Sequence, residues 1–238
     1  MRVLAIDSSA ISASAAVMED DKLLGEFFIN TRQTHSQTLM PMVEHVLKCT
    51  CVPLSSIDLF AVSAGPGSFT GVRIGVACIK GMAMAEKKPC AGVSTLEAIA
   101  WNLAHMDAII CAVMDARCGQ VYNAVFTANG GKLQRVTEDR AISIEDLTKE
   151  CKTIGEKYSK PLFLVGDGAK LCYNTIGFHE LNASLPPEHL LNQRAFGVAQ
   201  SAFALSKQGK TVTPAALAPI YLRLPQAERE LKKRQNKN

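Results

Sequence analysis

The chain opens with apolar positions in short alternating runs rather than in helical stripes. Residues 2–7 alternate into a strand that stops at Asp7-Ser8-Ser9. A second run, Ser12 to Met18, is turned by Asp20-Asp21 into a third, Leu23 to Ile29. Three such runs of period two, separated by turn residues, predict a meander. The pattern returns near Ala108. Ile109 to Met114 reads as a strand ending at Asp115, Val121 to Thr127 as a second, turned at Asn129-Gly130-Gly131, and Leu133 to Val136 as the start of a third. Asp7 and Asp115 close equivalent strands 108 residues apart. Helical and strand segments alternate after each meander. The chain therefore predicts an α/β fold of duplicated βββαβα units in two similar lobes, residues 1–105 and 106–238.

Two predicted helices of the first lobe bear on function. One runs from about Ser36 to Cys49, with Leu39, Val43, Val46 and Leu47 on a broad face and Met42 beside it. Pro41 is expected to bend it or delay its regular start. The other runs from about Thr70 to Lys87 and carries small residues four apart, Gly71 and Gly75 in one row, Ala77, Gly81 and Ala85 in another. Each interior glycine costs about 1 kcal/mol relative to alanine. That cost has a reason where another backbone comes close, either a partner's or that of the chain's own sheet. In the second lobe, Ser143 opens a helix with Asp146 three residues on. Pro161–Val165 leads as a strand into Gly166-Asp167-Gly168, and Asn192–Gly209 is an amphipathic helix closed by Gly209. The stretch from Pro214 to Leu224 is apolar but broken by Pro214 and Pro219.

Composition narrows the class. Apolar residues make up 47% of 238 and charged residues 20%, the balance of a globular protein with a full core. No stretch approaches the roughly 20 apolar residues that cross a bilayer, and Asp7 interrupts the start before a signal peptide's apolar core can form. A cytoplasmic protein is expected. The eight cysteines form no Cys-x-x-Cys pair, and Cys49-x-Cys51 has no second pair to complete a zinc tetrad. They read as structural thiols of a reducing compartment. Of the net charge of +4, the segment from Glu228 onward supplies +3, with Arg229, Lys232, Lys233, Arg234 and Lys237 against Glu228 and Glu230. A nearly neutral body does not read as a dedicated nucleic-acid binder, and the tail reads as a solvated terminus in preference to an RNA contact.

Catalytic signatures are sparse. The histidines, at 35, 45, 105, 179 and 189, form no His-Glu-x-x-His pair. There is no Gly-x-Ser-x-Gly elbow. Gly65-Pro66-Gly67-Ser68-Phe69-Thr70-Gly71 opens a helix, which invites a phosphate. Its spacing misses the dinucleotide fingerprint, however, and no Gly-Lys-Ser/Thr follows, so it reads as a tight strand-to-helix turn. Asp7 and Ser9 form an Asp-x-Ser before a hairpin, similar to the arrangement that actin-like ATPases place beside nucleotide phosphates. They are the candidate residues of a nucleotide cleft for ATP or ADP. Asp115-Ala116-Arg117 repeats the position with arginine in place of serine. On residues alone, a nucleotide-using enzyme and a scaffold that kept the fold both stand.

Ala5-Ile6-Asp7-Ser8-Ser9, His35-Ser36-Gln37-Thr38-Leu39-Met40-Pro41 and the long run from Gly65 to Gly75 closely resemble the bacterial threonylcarbamoyladenosine-biosynthesis family TsaB, formerly YeaZ. Gly92 to Ala98, Asp115-Ala116-Arg117 with Gly119, Val121 and Tyr122, and Pro219 to Arg223 extend the resemblance over nearly the whole chain. It implies a two-lobed actin-like (ASKHA, ribonuclease H-like) fold and a sibling relation to TsaD, the metal-dependent subunit that transfers threonylcarbamoyl to the tRNA adenosine beside the anticodon. TsaD-like enzymes carry Asn-His-Leu-Glu-Gly-His where this chain has Ser94 to Ile99, so Thr95 and Ile99 replace both metal histidines. Neither side chain is a catalytic metal ligand. The resemblance thus implies a subunit without catalytic residues or metal, which binds the TsaD-like subunit and helps assemble it with the TsaE-like ATPase. It implies indirect involvement of tRNA, no membrane, and a homodimer when the chain is alone. The implied partner interface lies on the two first-lobe helices, at Leu39, Met42, Val43, Val46, Gly71, Val72, Gly75, Cys78 and Ile79. An enzyme in its own right, a phosphotransferase using ATP or a metal-dependent hydrolase like the old glycoprotease label, is the alternative.

Overall fold

Period-two alternation gives β1 (Arg2–Asp7), β2 (Ala13–Glu19) and β3 (Lys22–Ile29), paired antiparallel as expected. A computed structural model describes residues 1–223. The basic segment from Glu228 onward lies outside the described residues. α1 (His35–Cys49) follows, starting one residue before the expected Ser36 and running continuously through Pro41. Next come β4 (Leu59–Gly65), α2 (Phe69–Glu86) and β5 (Cys90–Ser94). The first sheet has the order β3-β2-β1-β4-β5, with β1, β4 and β5 parallel. Alternation lets β1 serve both faces. Leu4 and Ile6 pack with Leu39, Val43, Val46, Val72, Val76 and Ile79 beneath α1 and α2, whereas Val3 and Ala5 face the opposite side.

α3 (Thr95–Ala100) leads to the second meander, β6 (Ala108–Asp115), β7 (Gln120–Asn129) and β8 (Lys132–Arg135). β9 (Arg140–Ser143), α4 (Ile144–Tyr158), β10 (Leu162–Val165), α5 (Ala169–Tyr173) and α6 (Ile176–Glu180) complete this half. The order is β10-β6-β7-β8, and β9 pairs with the other end of β7. β8 and β9 therefore share the edge that β3 fills alone in the first sheet. β9, four residues long, offers too little alternation to be read from sequence. As predicted, Ser143 caps α4, accepting the Asp146 N–H.

The last helix departs from the expected division. α7 (Ala195–Lys207), closed by Gly209 at φ +69°, packs on the free face of the first sheet. A sheet with parallel strands needs both faces covered. Ala195, Val198, Ala199 and Ala202 provide that cover against Val3, Ala5, Ala61 and Val93. The chain then stays with the first lobe. Val212 exchanges both backbone hydrogen bonds with Cys90, Lys80 Nζ donates to the carbonyls of Ala215 and Leu217, and Ile220 N donates to Ala64 O. Residues 106–238 are therefore not one lobe: α7 and the strap at residues 211–223 belong to the first. Among the described residues, no helix is long and apolar enough to cross a membrane.

Candidate functional site

The structure sorts the two rows of small residues on α2. A Cβ at Gly75 would lie 2.6 Å from Ser8 Oγ and 3.1 Å from Val62 Cγ2, and one at Gly71 would collide with the Ser8 carbonyl oxygen. This row presses on the chain's own β1 and β4. The other row faces outward: Ala77, Gly81 and Ala85 are exposed, and nothing approaches a Cβ placed at Gly81.

That placement corrects the residues expected to form the partner interface. Leu39, Met42, Val43, Val46, Val72 and Ile79 are buried in the first lobe's core, and Gly71 and Gly75 are buried with them. Of the expected set, only Cys78 is partly open. The physical reason is the sheet beneath: an amphipathic helix turns its widest apolar stripe to its own core. The surface of α2 is instead Thr70, Arg73, Ala77, Gly81 and Met84, the last 62% exposed, with Met40 of α1 also exposed.

Between the lobes lies a cleft of about 510 Å³, lined on the first-lobe side by Ser9, Ile11 and Gly67 and on the other by Asp115, Arg117 and Asp167. Ile220 to Arg223 form one wall. Asp7, expected beside the cleft, is 1% exposed and is not part of its lining. Its Oδ1 accepts Ser9 N at 2.9 Å and Ser9 Oγ at 2.8 Å, and its Oδ2 accepts Ser63 Oγ. Burial outweighs these bonds and pushes its carboxyl above the ordinary aspartate range. Asp167 opens onto the cleft, where its Oδ1 accepts Gln193 Nε2 at 2.8 Å. Desolvation first, then the facing Asp115 and Asp7, raise it to about 6 against the hydrogen bond donated by Gln193 Nε2. The strap's Ile220 carbonyl occupies the space against which a Cβ at Gly65 would press. The strap thus covers Gly65 itself, whereas Pro66 to Phe69 of the same turn line the cleft.

Thr95 and Ile99 sit on α3 and are fully buried. Ile99 packs with Ile110, Ala112 and Met114 of the second sheet, and Thr95 Oγ1 has no hydrogen-bond partner. Among the described residues, no three histidine, cysteine or acidic side chains gather where they could hold one metal ion. Five of the eight cysteines are buried or half-buried. Cys111, Cys151 and Cys172 lie together under the second sheet, and burial pushes the Cys172 thiol to about 12.

Comparison with known proteins joins these features to a family. The model of TsaD, tRNA N6-adenosine threonylcarbamoyltransferase, matches residues 22–228. The tRNA threonylcarbamoyladenosine biosynthesis protein TsaB of Bacillus subtilis is 32% identical over 236 residues, covering 96% of each chain. The chain belongs to the TsaB family. Escherichia coli TsaB is 31% identical over 226 residues, covering 94% of this chain and 95% of its own. YeaZ from Pseudomonas aeruginosa superimposes with a TM-score of 0.73 at 25% identity, covering 93% of this chain and 99% of the other. The α/β architecture of two mixed sheets expected from sequence is the one this chain shares with YeaZ.

Proposed function

We propose that this chain is a non-catalytic subunit required for threonylcarbamoylation of the tRNA adenosine beside the anticodon. It binds the catalytic TsaD-like sibling and helps assemble it with a TsaE-like ATPase in the cytoplasm, touching tRNA only indirectly. The observation that carries this reading is the state of α3. Where the sibling places metal ligands, Thr95 and Ile99 are fully buried, Ile99 in an apolar layer shared with the second sheet. A threonine hydroxyl and a butyl group supply no metal-binding donor set. The relatives' name, a threonylcarbamoyladenosine biosynthesis protein, supports the pathway. The outward small-residue row of α2, with exposed Met40 and Met84, supplies a face on which a partner helix can pack closely. Alone, the chain pairs through this face with a second copy.

The cleft, with Asp115 and Asp167 in its wall, favours the second reading, an ATP-using enzyme. Against it, Asp7 on the first-lobe side is held by Ser9 and Ser63 and kept out of the cleft's lining, where it cannot reach ATP or ADP. Reconstitution of tRNA modification from purified components, with and without this chain, tests the proposal. Modification that needs the chain, with no turnover by the chain alone, is the expected result. Nucleotide-dependent turnover by the isolated chain would overturn it.

A further inference from the structure

The first turns of α2 place Phe69 and Arg73 four residues apart, on one helical face. Arg73 Cζ lies 3.7 Å from the Phe69 ring centroid. The strap adds Tyr221, whose ring stacks on Phe69 at 5.0 Å and whose hydroxyl accepts the Arg73 Nε–H at 2.7 Å. The side chain of Arg73 is thereby fixed at the helix surface although the residue is exposed. A guanidinium has five N–H donors in a planar fork. Here only Nε is spent, and Nη1 and Nη2 meet no acceptor among the described residues.

We propose that Arg73 is a preformed receptor for a carboxylate on the protein that docks against the outer face of α2. The inference rests on the adaptor reading and adds the chemistry of the partner. A planar fork takes a carboxylate through two parallel charge-assisted hydrogen bonds. Holding the side chain in place beforehand removes much of the ordering cost of that contact. Charge along the helix selects the occupant. The outward row of Thr70, Arg73, Ala77, Gly81 and Met84 has no acid, and at its far end the half-buried Glu86 is followed by Lys87 and Lys88, which have no ion-pair partner among the described residues. From Arg73 to Lys87 is about 21 Å along an α-helix. The face therefore fits a helix of another protein that carries an aspartate or glutamate opposite Arg73, small or apolar residues at Gly81, and a second acid near the lysines. A second copy of this chain fits less well, since turning the face on itself about a two-fold axis sets cation against cation.

The test is calorimetric titration of the full chain with the purified TsaD-like subunit of the same organism. Arg73→Ala is expected to weaken binding about tenfold or more. Arg73→Lys should recover little, because an ammonium cannot form the fork. Tyr221→Phe should fall between wild type and Arg73→Ala while keeping the fold, and rising salt should weaken wild type more than Arg73→Ala. Self-association, followed by sedimentation, should strengthen as salt rises. Wild-type chain that does not bind the TsaD-like subunit removes the adaptor reading and this proposal with it. Wild type that binds while Arg73→Ala and Tyr221→Phe bind equally well, or with an unchanged salt response, removes this proposal alone.

Discussion

Two residues separate what a side chain does for the fold from what it does for function. Gly75 has no room for a side chain between α2 and β1–β4. Gly75→Arg would drive a charged chain into packed core, where overpacking alone costs about 1–3 kcal/mol and an unpaired buried charge adds to it. A lower melting temperature by calorimetry is expected, before any partner is considered. A variant melting like wild type would mean that the helix can lift off its sheet. Asp7 poses the opposite case. Its folded pKa is raised by burial, so above the ordinary aspartate value the unfolded chain gives up its proton more readily than the folded one. That contribution to stability is present at acid pH and is lost as pH rises through the folded pKa. Asp7→Asn keeps the shape and the acceptor for Ser9 without the charge. It should match or exceed wild type in thermal stability at neutral pH, by a margin that shrinks toward acid pH, and should still support tRNA modification. Loss of modification by a stably folded Asp7→Asn would return Asp7 to the active residues.

At the scale of the element, α2 shows what a sequence can and cannot disclose. Its N-cap Ser68 was not read, but its bounds, to within one residue at each end, and its two rows of small residues follow from composition and spacing. Which row faces the sheet does not, because both are small and the helix is apolar around most of its circumference. Only the position of Ser8 and Val62 decides it. The same holds for Leu39, Val43 and Val46. Periodicity marks them as one face, yet a core face and a partner face carry the same residue types. The meanders were legible because strict alternation between turn residues has few other solutions, whereas β9 was too short to register and the return of α7 to the first lobe is a long-range choice that no local pattern encodes. Gly81 makes the difference measurable. Its backbone is helical and its outer side is open, so Gly81→Ala should raise stability by about 1 kcal/mol, seen as a higher denaturant midpoint. Gly81→Leu should fold as well as wild type and lose affinity for the TsaD-like subunit. Unchanged affinity in Gly81→Leu would show that no helix packs closely on this row.

At the scale of the molecule, the strap joins three regions that sequence keeps apart. Leu217 fills the core beneath α1 and α2, Ile220 bonds to β4, and Arg223 Nη1 donates to the Ala116 carbonyl of the second lobe at 2.6 Å. Ala116 stands in the loop that follows Asp115, so the strap ties the cleft's far wall to the helix proposed to meet the partner. The two ends of this tie differ in kind. Leu217 is a core residue, and Leu217→Ala should cost about 2–5 kcal/mol. For a chain of this size that lowers the melting temperature by roughly 2–4 °C per kcal/mol. Arg223 makes one charge-assisted bond among the described residues, at a half-buried site, and its loss frees the loop more than it weakens either sheet. Arg223→Ala should therefore melt near wild type while amide exchange quickens at Ala116 to Gln120 and stays unchanged in β1 and β4. Exchange by mass spectrometry reads both segments in one experiment. If the loop exchanges as slowly in Arg223→Ala as in wild type, the Arg223 bond does not order the loop. A partner on α2 would then have no route through Arg223 to the cleft's far wall.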